Sequence, residues 1–157
     1  MTDITIRRAT IADIDALALH RASMFRDMGV LSADLFQPLV DATRDYLAEA
    51  MPADEYLAWV AVANEKVVAG AGMQLRRILP RPRDGGAEII RSRQAIVLNV
   101  YTDNAFRKRG IANQLMREII GWTQANQIQS VVLHAAPAAR SIYEKLGFVA
   151  TNEMRLK

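Results

Sequence analysis

Residues 95–148 read AIVLNVYTDNAFRKRGIANQLMREIIGWTQANQIQSVVLHAAPAARSIYEKLGF. The first eight, 95–102, are nearly all apolar, as a strand buried on both faces would be. Ile111, Leu115, Ile119 and Trp122 then recur at helical spacing, which predicts a helix from 111 to about 126. Residues 130–135 (SVVLHA) read as a second buried strand, 138–146 as a short helix, and 148–156 as a closing strand. Strands alternating with helices predict an α/β (α+β) chain. Its sheet should be mixed, mostly antiparallel and six- to seven-stranded, flanked by about four helices.

The upstream part agrees. Ile4 and Ile6 alternate with Thr5 and Arg7 as in a short strand. Thr10 and Asp13 mark a helix start, and Leu17, Ala18, Arg21, Met24, Phe25 and Met28 form its stripe before Gly29 ends it. Residues 32–51 predict a further helix, interrupted early by Pro38 and stopped by Pro52. Residues 56–73 have strand character with a turn at 64–66, and RRILPRPRDGG (76–86) reads as a loop. No repeat or linker divides the 157 residues, so one domain over 1–157 is expected.

Composition sets the outer bounds. With 51% hydrophobic and 24% charged residues, disorder and low complexity are excluded. Cys 0 removes disulfide and thiolate chemistry, and two distant histidines make a metal site unexpected. The net charge of +3 is mild, but six arginines against two acids lie between Arg76 and Arg93. No aromatic residue interleaves them, so they read as a solvated surface or a gate for an acidic acceptor, and nucleic acid is not expected as a partner. No run approaches the ~18 apolar residues of a membrane span. MTDITIRRATIADID lacks the layout of a secretory leader, so a cytoplasmic protein is expected.

The chemistry concentrates at DNAFRKRGIA. Gly110 and Ala112 at the mouth of a helix let backbone amides approach a ligand closely. The unpaired amides of a first helical turn form an anion site, and Arg107, Lys108 and Arg109 would add to it. The same residues also suit a loop glycine with a solvated basic rim. There is no GxxxxGK[ST] and no G-x-G-x-x-G, which weakens the P-loop and dinucleotide readings.

Arg107-Lys108-Arg109-Gly110-Ile111-Ala112 resembles the [Q/R]-x-x-G-x-[G/A] signature of the GNAT superfamily of acetyl-CoA-dependent N-acetyltransferases. About thirty residues on, ARSIYEKLGF (139–148) is similar to that family's (L/I)-Y-E-K-x-G-F segment. The resemblance is best over 95–149, and further out the elements fit in order only. Residues 20–29 and 153–156 also look like a branch of small bacterial members. The resemblance implies acetyl-CoA as cosubstrate and no metal. Backbone groups of Val100 and Thr102 would pair with the pantetheine arm. Amides from Arg107 through Lys108, Arg109, Gly110 and Ile111 to Ala112 would hold the pyrophosphate. Tyr143 would protonate the departing thiolate as general acid; the bland alternative is a half-buried packing aromatic.

The chain departs from the pattern in two places. Residues 95–102 carry no carboxylate to serve as general base, the nearest acids being Glu88 and Asp103, and Ala136 stands where many members place an asparagine. His134 reads as a structural histidine with a catalytic alternative. His20, with Arg21, Met24, Phe25 and Asp27, could line an acceptor pocket, although Met24 and Phe25 read first as core. Trp59 and Trp122 read as packing residues. The expected activity is acetyl transfer to a primary amine of a small molecule by direct attack. Alternatives are a protein amino terminus or lysine as acceptor, and a non-catalytic acyl-CoA sensor. Homodimers are frequent among proteins of this resemblance, though no segment here calls for one.

Overall fold

The computed structural model describes residues 2–83, 85–91 and 93–157. Met1 at the start of the chain, Asp84 within the expected loop and Ser92 in the arginine-rich stretch lie outside them. The strands are β1 (Ile4–Arg8), β2 (Tyr56–Ala63), β3 (Lys66–Arg77), β4 (Arg81–Pro82), β5 (Ile89–Ile90), β6 (Arg93–Thr102) and β7 (Ser130–Leu133). The α-helices are α1 (Ile14–Asp27), α2 (Phe36–Ala50), α3 (Ile111–Ala125) and α4 (Arg140–Lys145). The main sheet runs β1-β2-β3-β6-β7, antiparallel up to β6 and parallel between β6 and β7. The expected mixed, mostly antiparallel sheet with four helices is therefore present. Five strands form its central sheet, and β4, inside the stretch expected to be loop, pairs with β5 just beyond it in a separate two-stranded sheet.

The two faces of the sheet are covered differently. Trp59, Ala71, Met73, Ala95 and Val97 pack against the α3 stripe of Ile111, Leu115, Met116 and Ile119. Tyr56, Ala58 and Val60 face the other way, onto Leu17 of α1 and Leu47 and Ala50 of α2. Full burial of a Leu or Ile side chain contributes roughly 1.5–3 kcal/mol, so the fully buried Leu17, Leu47, Leu115 and Ile119 hold the layers together. Trp59 and Trp122 meet edge to face at 6.4 Å in this packing, as expected of both.

Local chemistry explains the element boundaries. Thr10 and Asp13 form a capping box: the Thr10 amide donates to Asp13 Oδ2 at 2.8 Å, and the Ala12 amide donates to Thr10 Oγ1 at 3.3 Å. Arg7 at the end of β1 grips both Asp13 oxygens at 2.8 Å, which fixes the angle between strand and helix. Gly29, at φ +73°, closes α1: Val30 donates to the Phe25 carbonyl and Gly29 to that of Arg26. Pro38 falls in the first turn of α2, where its missing N–H costs nothing, so it starts the helix rather than interrupting it. Asn64 and Glu65 both sit at positive φ in the β2–β3 turn, the twist a two-residue hairpin requires.

The closing strand expected at 148–156 does not form. An edge as short as β7 cannot hold nine residues in register, and Asn152 breaks the apolar side of their alternation. Val149, Met154 and Leu156 are exposed, and the segment is tethered by Glu153, whose Oε2 lies 2.5 Å from His134 Nε2.

The Arg7 pairing holds the Asp13 carboxyl below the usual carboxylate range, with help from the Thr10 hydrogen bonds and against its burial. A depressed folded pKa stabilises above the unfolded value and ceases to do so as pH falls through the folded one. Asp13→Asn is expected to cost about 1–2 kcal/mol at pH 7 in denaturant melts, allowing for the solvent around Arg7. The gap to the parent should close below about pH 4; a gap that is constant or widens on acidification would contradict the assignment.

Candidate active site

β6 is flanked by β7 only from Gln94↔Ser130 to Val97↔Leu133, after which the two strands part. On its other edge the register with β3 slips between Gly72↔Leu98 and Gly70↔Tyr101, so Asn99 and Val100 face a single residue. Asn99 takes φ +59° to make this bulge. The β7-side edge of β6 from Leu98 to Thr102 therefore has no strand upon it. The Thr102 carbonyl on this stretch accepts from Arg107 Nε at 2.9 Å, and among the described residues no side-chain hydrogen bond to the Val100 backbone is seen.

The free edge leads into a basic loop and the start of α3. Lys108 (φ +62°) and Gly110 (φ +75°) both take left-handed backbone, which curls successive amides toward one side. Gly110 is the N-cap of α3 and no side chain caps the helix, so the first-turn amides are available to an anion. Ile111 buries its side chain in the core and offers only its amide, and Ala112 is half-buried.

The three cations behave unequally. Arg107 pairs with Asp27 at 2.7 Å and lies over the Tyr101 ring at 5.5 Å, strapping the end of α1 to the loop. Arg109 folds back to the Ala105 carbonyl at 3.1 Å and lies over Phe106. Lys108 is exposed at the positive-φ position. In the other basic stretch, Arg76 donates to Gln94, Arg81 to Ser130 and Arg83 to Glu88, which ties those side chains to the sheet or to their own hairpin.

Tyr143 sits in α4 with its ring edge-on to Phe148 at 6.1 Å. It is half-buried, and that burial raises its pKa above the ordinary phenol value, so the hydroxyl keeps its proton at neutral pH. His134 lies past the end of β7, exposed against Glu153. His20 is buried beneath the sheet, with its ring 5.1 Å from Tyr101 and Nε2 3.7 Å from Asp103. Burial lowers its pKa, against the pull of Asp103, and its Nδ1 has no partner.

A cavity of about 250 Å³ lies between α1, α2 and the sheet. Arg21 lines it; His20, Met24, Phe25 and Asp27 do not. Tyr56, Asn99, Gln74 and Tyr46 supply its polar groups, and none of these four was legible as a pocket residue. The Tyr46 hydroxyl accepts from Gln74 at 2.8 Å. Asn99 donates to the Leu17 carbonyl at 3.1 Å, which leaves its Oδ1 buried without a donor. The Tyr56 hydroxyl is also buried and has no partner at full hydrogen-bond distance, the Asn99 side chain acting on it only as a weak hydrogen-bond neighbour. Desolvation pushes Tyr56 up to about 12, with Asn99 and the positive Arg21 opposing, so it stays a neutral donor. Gly72 makes room for it, since a Cβ there would stand 2.0 Å from Tyr56 Oη. A sequence signal did exist: Asn99 is the one amide within the apolar run 95–102.

The profile of the family described as acetyltransferase (GNAT) domain matches residues 26–157, and the chain belongs to that family. It is an acyltransferase by that membership. A GCN5-related N-acetyltransferase from Ralstonia eutropha superposes with a TM-score of 0.87 at 27% identity, over 99% of this chain and 98% of the other. A predicted acetyltransferase from Clostridium acetobutylicum, solved with acetyl-CoA, gives 0.82 at 23% identity, over 99% and 96% of the two chains. An aminoglycoside N-acetyltransferase solved with CoA gives 0.74 at 17%, over 100% and 95%. No curated protein sequence matches the chain. Among the described residues no helix is long and apolar enough to cross a membrane.

The Gly72–Tyr56 contact is open to a direct check. Gly72→Ala should destabilise by about 1–3 kcal/mol through overpacking against the ring. In a Tyr56→Leu background the same change should cost clearly less, as read by a double-mutant cycle of melting curves. Equal costs in both backgrounds would mean the ring does not depend on that glycine.

Proposed function

We propose that this protein moves an acetyl group from acetyl-CoA to the primary amine of a small molecule, with both substrates bound at once. The observation that carries the reading is the free edge of β6, which runs from the Asn99 bulge to the uncapped amino terminus of α3. An extended amide-bearing arm can add to that edge as a strand would, with Val100 as its principal partner and the Thr102 amide beside it. The amides from Arg107 to Ala112 suit the pyrophosphate at the arm's far end, and Lys108 adds an unpaired charge. Acetyl-CoA supplies an activated thioester. Two of the structures most similar to the chain were solved with acetyl-CoA or CoA, which supports the same choice here.

The reaction forms a bond from the amine nitrogen to the acetyl carbon and breaks the carbon–sulfur bond. One proton leaves the nitrogen and one arrives on the sulfur. Tyr143 is suited to the second transfer, because its burial keeps it protonated until a strong base is generated beside it. The first needs no carboxylate on β6: an amine that enters neutral can release its proton to water after attack. A backbone amide at the parting of β6 and β7 would be the donor to the developing oxyanion. Holding the two substrates together supplies much of the acceleration. A cavity of about 250 Å³ lies under the ~300–1,000 Å³ of sites for drug-sized ligands, which favours a small acceptor over a protein segment.

Calorimetric titration with acetyl-CoA should show micromolar binding, weakened at least about tenfold by Gly110→Asp, which adds a negative charge at an anion site and a side chain at positive φ. No binding to the folded parent would refute the proposal. Tyr143→Phe should lower kcat by roughly a hundredfold or more while leaving acetyl-CoA affinity nearly unchanged. Equal losses in both would reassign Tyr143 to packing, and unchanged kcat would remove it from the mechanism.

A further inference from the structure

Arg21 lines the cavity with no carboxylate among the other lining residues. On its own helix both carboxylates are held by other arginines, Asp27 by Arg26 and Arg107 and Asp15 by Arg44; on α2, Asp41 is also held by Arg44, and Asp45 and Glu49 do not line the cavity. The Arg21 guanidinium rests on the Phe25 ring at 5.0 Å, close enough to the Tyr56 hydroxyl to act on it electrostatically. Two further groups in the same cavity want partners. Tyr56 Oη is a buried donor, and Asn99 Oδ1 is a buried acceptor whose identity is fixed by the bond from its own Nδ2 to Leu17. Leaving such groups unpaired is costly, and a ligand that brings both an acceptor and a donor would satisfy them.

From this arrangement we infer that the cavity selects a small amine that also carries a carboxylate, an amino acid or close relative, held at its acid end by Arg21. The inference rests on the acetyltransferase reading and names its acceptor class. A planar guanidinium matches a carboxylate with two parallel hydrogen bonds, and the Tyr56 hydroxyl can donate a third. Asn99 Oδ1 can accept from the amine. Asn99 stands in the bulge of β6, next to Val100, where the arm of the cosubstrate would lie. The acid end is thus anchored between α1 and the sheet while the amine is directed toward the strand that bears the acyl group. No carboxylate lines the cavity, so a polycation such as a diamine would meet an uncompensated arginine.

The test is steady-state kinetics with acetyl-CoA and matched acceptors: amino acids, their decarboxylated amines, their carboxamides and aminoalkyl phosphates. The parent, Arg21→Gln and Arg21→Lys are compared. Amino acids should be preferred over the decarboxylated amines by at least about tenfold in kcat/KM, the worth of one charge-assisted contact. Arg21→Gln should erase that preference mainly through KM and leave the decarboxylated amines within about threefold, and Arg21→Lys should restore part of it. Equal losses for all acceptors in Arg21→Gln would mark Arg21 as structural, and preference for uncharged amines or for phosphates would overturn the carboxylate assignment. A binding arm separates this inference from the reading beneath it: calorimetry of the same amino acids against CoA-saturated protein. Acetyl-CoA binding and turnover of other amines, with no amino acid bound, would overturn the inference alone. Absence of acetyl-CoA binding would remove both.

Discussion

β6 is hydrogen-bonded on both edges only as far as Val97, and the rest of the site depends on where that double pairing ends. A strand in the middle of a sheet normally spends all its backbone groups on its neighbours. Here the parallel partner stops at Leu133, and one extra residue at Asn99 and Val100 reorients the strand against β3. The outcome is an interior strand with a bare edge, which the chain can maintain because α3 and α1 cover the two faces around it. That edge is what an extended ligand needs, and the uncapped first turn of α3 lies at its end.

The same bulge shapes the opposite face. By placing Asn99 on the α1 side it gives the cavity a buried acceptor and ties the sheet to α1 through the Leu17 carbonyl. Gly72, across the strand, clears the volume into which the Tyr56 hydroxyl projects. Arg107 joins the two halves, since its one guanidinium bridges Asp27 of α1 and the Thr102 carbonyl of β6. The bare edge proposed for the acyl donor and the cavity on the opposite face are therefore both set by one stretch of backbone.

What could be read in the sequence follows from the range of the interactions involved. The α3 stripe, the Thr10–Asp13 cap, the Gly29 stop and the β2–β3 turn are local, and each was legible from spacing. The family resemblance rested on residues 107–112 and 139–148, which are contiguous, and it located the loop and the α4 tyrosine. The cavity was legible only through Arg21, because Tyr46, Tyr56, Gln74 and Asn99 lie on four elements and meet only after β2, β3 and β6 pair. Residues 148–156 misled for the complementary reason. Their alternation has strand character, but a strand needs an edge long enough to receive it, and the length of β7 is a tertiary property. The β4–β5 hairpin escaped notice because two-residue strands between prolines and glycines leave almost no periodic trace.

If the bare edge of β6 and the start of α3 together hold the acyl donor, as proposed, acetyl-CoA must shield their amides from exchange. Residue-resolved amide hydrogen exchange, with and without saturating acetyl-CoA, tests it most directly. Saturating acetyl-CoA should bring new protection at Val100 and along Lys108–Ala112, with residues 85–91 unchanged. Binding that leaves the amides of β6 and the first turn of α3 unaffected, with protection appearing elsewhere, would contradict it.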